Sequence, residues 1–145
     1  MTARLAEEFE KRLKRGAVFL HREWQFGGEK HEKFFIVLNL DISEPAVFVV
    51  LTTSQQAYYK DNPLVEADVV RFEPERVTFF KTETLINCRD VWPISRDDIK
   101  QHYVSGTIGF VGNLPANELV RIDKTISESR QIDKRMKKKV CPPRS

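Results

Sequence analysis

Two nearly continuous apolar runs, Phe34 to Leu40 and Ala46 to Thr52, are the strongest constraint on how this chain folds. A strand that is apolar at every position has no polar side to offer water, so burial on both faces is expected. Asp41 to Pro45, the connection between them, is short, polar and turn-forming. Two such runs so joined read as an antiparallel hairpin at the centre of the fold. A chain of 145 residues is long enough to bury a core of that kind as one domain.

The flanking pattern supplies the rest of the architecture. Leu5, Phe9 and Leu13 recur every four residues and predict an N-terminal helix. Ala17 to Trp24 reads as a strand running into the turn pair Gly27-Gly28, and the charged segment Glu29 to Lys33 reads as a loop. Ser54 to Ala67 is polar and reads as a long loop. Shorter strands are expected at Asp68 to Phe72, Val77 to Phe80, Thr84 to Cys88 and Ser105 to Val111. Ser95 followed by Asp97 and Asp98 is a helix start. Pro115 opens a second amphipathic helix to about Ile132, with Leu119, Ile122 and Ile126 inward. The expectation is an α+β chain, with residues 1–133 forming one small, strongly bent antiparallel β-barrel that carries an N-terminal and a C-terminal helix.

Charge is unevenly placed. From Arg130 to Ser145 there are seven bases and one acid, a sum of +6, which leaves −3 for residues 1–129. Residues 134–145 lack an apolar period and contain Pro142-Pro143, so they read as a solvated, disordered basic tail, of a kind that can also attract phosphate backbones non-specifically. No apolar stretch approaches a membrane span, and Met1 to Arg15 is too charged for a secretory signal, so the chain reads as cytoplasmic. Cys88 and Cys141 do not make a disulfide framework. His21, His31 and His102 are scattered without metal-ligand spacing, and the glycines from Gly106 to Gly112 lack the ending of a phosphate loop. No metal or cofactor is expected.

Two clusters carry possible chemistry. One is the segment Gly27-Gly28-Glu29-Lys30-His31-Glu32-Lys33; the other is Leu51-Thr52-Thr53-Ser54-Gln55. Antiparallel pairing of the two apolar runs brings Lys33 beside Thr53, Ser54 and Gln55. A cation, hydroxyls and an imidazole at one place suit phosphodiester chemistry, because lysine can stabilise phosphate charge and His31 can exchange protons near neutral pH.

In order along the chain, Gly16-Ala17-Val18-Phe19, Lys33-Phe34-Phe35-Ile36-Val37-Leu38, Leu51-Thr52-Thr53-Ser54-Gln55 and Gly109-Phe110-Val111-Gly112-Asn113-Leu114 resemble the motifs of the MazF/PemK toxin endoribonucleases, which share an SH3-like barrel with the CcdB gyrase poisons. The resemblance implies an SH3-like barrel and metal-independent cleavage of single-stranded RNA by 2′-hydroxyl attack. It also implies a homodimer and an antitoxin peptide as partner. Catalytic roles then fall to Lys33, Thr53 and His31, and substrate contacts to Thr52, Ser54, Gln55 and Glu29. Lys33 stands where the family has arginine, and Phe34 where it has proline; lysine offers phosphate a point charge instead of a planar fork. The alternative expectation is a non-catalytic SH3-like module that binds protein or nucleic acid.

Overall fold

The computed structural model describes residues 2–26, 29–53, 68–74, 77–80 and 83–143. Its strands are β1 (Ala17–Phe26), β2 (Glu29–Val37), β3 (Ala46–Thr53), β4 (Val69–Phe72), β5 (Thr84–Ser95) and β6 (Ile108–Asn113). They form one antiparallel sheet in the order β4-β5-β3-β2-β1-β6. The two apolar runs pair at its centre, with Phe35 opposite Leu51, Ile36 opposite Val50 and Val37 opposite Val49.

Alternation along these strands feeds two cores. Ile36, Leu38, Phe48 and Val50 join Phe72, Phe80, Ile122 and Ile126 on one side. Phe35, Val37, Val47 and Val49 join Phe9, Phe19, Ile99 and Tyr103 on the other. Helices α1 (Thr2–Arg12) and α2 (Arg96–Ser105) cover the second side; α3 (Ala116–Glu128) and α4 (Lys134–Val140) cover the first. The class is therefore α+β, and both faces of the central hairpin are buried. Among the described residues the sheet is not closed: β4 and β6 are its two edges.

Several sequence expectations are corrected. Glu29 to Lys33 is strand, not loop: β1 and β2 stay paired as far as Phe26 opposite Glu29. Charged residues are tolerated there because this end of the hairpin lies outside the two apolar clusters. Val77 to Phe80 is a turn in which the Phe80 amide donates to the Val77 carbonyl at 3.1 Å. Its apolar residues serve as core anchors, Val77 and Phe80 being almost fully buried. β5 continues to Ser95 because its second half pairs with Ala46–Val49. α3 stops at Glu128, short of Ile132.

The largest correction concerns residues 134–145. Asp133 caps α4 by accepting the Met136 amide at 2.8 Å, and Val140 is fully buried. Lys137 Nζ donates to the carbonyls of Ser127 at 3.1 Å and Ser129 at 2.6 Å. Arg15 ion-pairs with Asp123 and donates to the Val140 carbonyl at 2.8 Å. As far as residue 143 the segment is basic and ordered, because half of its helix finds apolar and carbonyl partners that only the folded chain provides.

Asn39 organises the turn between the central strands. It is 1% exposed, its Oδ1 accepts the Phe48 amide at 2.6 Å, and its Nδ2 donates to the Ala46 carbonyl at 2.9 Å. Asn39→Leu would leave a buried amide and a carbonyl without partners, so a loss of about 2–4 kcal/mol is expected in urea unfolding. Leu40→Ala, at a 40% exposed position, is expected to cost less than about 1 kcal/mol. Equal costs for the two variants would refute the role given to Asn39.

Candidate functional site

The charged end of the central hairpin is where polar groups converge. Lys33 Nζ donates to the Thr52 carbonyl at 3.1 Å. Burial of the Lys33 ammonium lowers its pKa from the usual lysine value. Thr52 is buried, and its hydroxyl accepts the Phe34 amide at 3.2 Å. That hydroxyl is engaged in fastening β2 to β3.

The remaining sequence-predicted residues have backbone positions only. Glu29 is opposite Phe26, and His31 is opposite Trp24. Thr53 is opposite Leu85 of β5, and the β2–β3 pairing ends two residues before it, at Phe35 opposite Leu51. Ser54 and Gln55 lie outside the described residues. Lys33, His31, Thr52 and Thr53 thus share one end of the sheet.

The structure adds four residues that sequence reasoning missed: His21, Trp24, Trp92 and His102. His21 lies directly opposite Lys33, so both side chains leave the same face. Between His21 and Trp24 the register shifts: Arg22 and Glu23 together face Glu32. This bulge turns Trp24 onto the His21 face, where strict alternation would have sent it to the other. The two rings meet at 5.5 Å.

Trp92 of β5 lies opposite Val49, and its indole comes within 6.3 Å of the Trp24 indole. β2 and β3 lie between those strands, so the sheet is strongly bent around this face. Ser95 caps α2 by accepting the Asp98 amide, and Gly106 ends the helix in a left-handed conformation with φ of 88°. His102 therefore stands in the last turn of α2, with its ring 5.5 Å from that of His21. His21, Trp24 and His102, with Asp98, Ile94, Ile99 and Ile108, line a pocket of about 200 Å³.

The two imidazoles are held differently. His21 Nδ1 accepts the Glu23 amide at 3.1 Å, which leaves the ring proton on Nε2. Burial first, and the neighbouring His102 second, lower the His21 pKa, while Glu23 opposes them. At neutral pH His21 is a neutral Nε2–H donor. His102 is exposed and carries no such constraint on its ring nitrogens among the described contacts. Among the described residues no group of three His, Cys, Asp or Glu side chains is placed to hold a metal ion.

Counting back from Gly27-Gly28 along a continuous hairpin would have set Arg22 against Lys33 and His21 against Phe34; the bulge is what puts His21 opposite Lys33. Nothing local announces the bulge, or the approach of His102 and Trp92. Neither the models of known protein families nor the curated proteins include a match to this chain.

A histidine whose folded pKa is depressed binds its proton more readily in the unfolded chain. Its stabilising effect is complete above the unfolded value of about 6.5 and is lost as pH falls toward the lower folded value. The thermal midpoint is expected to drop between pH 7.5 and 5.5, and His21→Gln should lessen that drop. An unchanged pH profile in His21→Gln would exclude His21 as the responsible group.

Proposed function

We propose that this chain is a metal-independent endoribonuclease of MazF/PemK-like character, cleaving single-stranded RNA at the charged end of the central hairpin. The observation that carries the reading is that His21, in register with Lys33, meets His102 and Trp24 on one bent sheet face, with Trp92 beside Trp24. These groups match what phosphodiester cleavage needs: a cation for the phosphate, a donor of fixed tautomer, a proton acceptor and flat surfaces for bases. The bent antiparallel sheet is compatible with kinship to SH3-like barrels, which belongs to the same proposal. So do a homodimer and an acidic antitoxin segment as partners.

In the proposed step, His102 takes the proton of the ribose 2′-hydroxyl and O2′ attacks the adjacent phosphorus. His21 Nε2–H donates to a non-bridging oxygen, and the Lys33 ammonium offsets the developing charge. The P–O5′ bond breaks, and O5′ takes a proton from Lys33, whose pKa burial has already lowered. The products are a 2′,3′-cyclic phosphate and a 5′-hydroxyl, and solvent returns the proton from His102 to Lys33. Thr53, next to the Thr52 carbonyl that Lys33 contacts, is proposed to position the phosphate. His31 is the other proton carrier to test.

A long unstructured RNA incubated with the protein in EDTA is expected to yield 2′,3′-cyclic phosphate ends. Lys33→Ala should lower the rate roughly 10²- to 10³-fold, the usual cost of one electrostatic contact, and Lys33→Arg, which keeps the charge but cannot give up a proton, should restore only part of it. His102→Asn should be comparably impaired. His21→Gln keeps an N–H donor and should lose less than His21→Ala. Full activity in both Lys33→Ala and His102→Asn would refute the site. RNA binding without cleavage by the native protein would identify a binding module instead.

A further inference from the structure

Trp92 belongs to two surfaces at once. β4 pairs with β5 only over Thr84–Asn87, so residues 91–95 of β5 have β3 on one side and, among the described residues, no strand on the other. At that edge the Trp92 side chain is 37% exposed. On one side it meets Trp24 at the rim of the histidine pocket. On the other it lines a second pocket of about 270 Å³ with Arg89, Gln131 and Met136, which also admits Asp90 and Asp133.

The second pocket leads to α4. Met136 and Val140 turn inward, Lys137 is held by Ser127 and Ser129, and Lys139 lies over the Phe48 ring at 5.1 Å. Lys134, Arg135 and Lys138 remain exposed on the outer side. Asp133 is occupied as the helix cap. An exposed indole followed by a row of cations, on a chain whose first 129 residues carry net negative charge, fits a flexible polyanion with flat bases. An acidic chain without aromatic groups would engage the cations and leave the indole unstacked.

We infer that single-stranded RNA leaves the histidine pocket by stacking a base on Trp92, rounds the open edge of β5 and lays its phosphates along the outer face of α4. This deepens the ribonuclease reading and rests on it for the position of the scissile phosphate. The stretch from Trp92 to Lys138 is then a holding surface that fixes the strand beyond the cleaved bond. It gives affinity with little sequence preference, since stacking and phosphate contacts are open to every base.

The test uses the full chain and an uncleavable 2′-O-methyl oligouridylate of about 12 nucleotides, near the upper site size of a single binding module. The protein has two tryptophans, so Trp24→Phe leaves Trp92 as its single indole. Saturating oligonucleotide is expected to quench Trp92 emission, and Trp92→Ala should weaken binding about tenfold. Lys134→Ala, Arg135→Ala and Lys138→Ala combined should flatten the slope of log affinity against log salt by about 2, as three lost single-strand phosphate contacts require. Polyglutamate of equal charge has no bases and should leave Trp92 emission unchanged.

Unaltered Trp92 emission at saturation, an unchanged salt slope in the triple variant, or equal quenching by polyglutamate would each overturn the inference. Trp92, Lys134, Arg135 and Lys138 are exposed and Trp24 is half-buried, and thermal unfolding by circular dichroism verifies that each variant is folded. The probe cannot be cleaved, so the two readings separate. Quenching and slope as expected from a protein that cuts no RNA would leave the surface standing and remove the nuclease. Cleavage with none of these binding effects would do the reverse.

Discussion

Burial of the central hairpin on both faces is the constraint on which the rest of the structure depends. Phe35, Ile36, Val37 and Leu38 on one segment, and Val47, Val49 and Val50 on the other, are fully removed from solvent. Each such side chain contributes about 1.5–3 kcal/mol, against the entropy of ordering the chain around it. A sheet alone covers neither of its own faces, so helices are required on both. α1 and α2 meet one side; α3 and α4 meet the other. Because the middle of the hairpin is committed to packing, polar chemistry is displaced to its end, where Lys33 and His21 extend beyond the apolar clusters.

Two irregularities in the sheet then make a site from that end. The bulge after His21 brings Trp24 onto the same face, and the shift between Val49 and Leu51 loops part of β5 out before Trp92 pairs with Val49. Bulges increase local twist and bend a strand, and here the bend brings indoles of non-adjacent strands together. α2 completes the arrangement. Arg96, at its first turn, ion-pairs with Glu10 of α1, which Lys100 also contacts at 3.0 Å. Those two cations lower the Glu10 pKa against the opposing effect of burial, and they fix the two helices side by side. The position of His102 is thereby tied to packing at the far end of its helix.

The C-terminal helix shows how charge and burial combine. Its lysines divide by geometry: Lys137 terminates the free carbonyls after α3, Lys139 covers an aromatic ring, and the rest face water. Leu40 donates its amide to the Lys139 carbonyl at 3.0 Å, so the turn after the first apolar run is itself part of the docking. A run that composition marks as solvated is held by a few specific contacts, and its remaining positive charge is presented in one place.

The sequence by itself determined the central hairpin, the burial of both its faces, the cap of α2 at Ser95 and the inward residues Ile122 and Ile126 of α3. These follow from local rules: a period of two for strands, 3.6 for helices, and side chains that compete for backbone groups at helix ends. It also placed Lys33 at the start of the first apolar run and Thr52 and Thr53 at the end of β3. Only the tertiary structure decided that the charged segment before Lys33 is strand, that the tail from Lys134 is helix, and that the sheet stays open among the described residues. Only it brought His21, Trp24 and His102 into one pocket, with Trp92 against Trp24. The reason is physical. A register shift or a docked helix is set by the summed packing of residues far apart in the chain, and no local period in the sequence carries that sum.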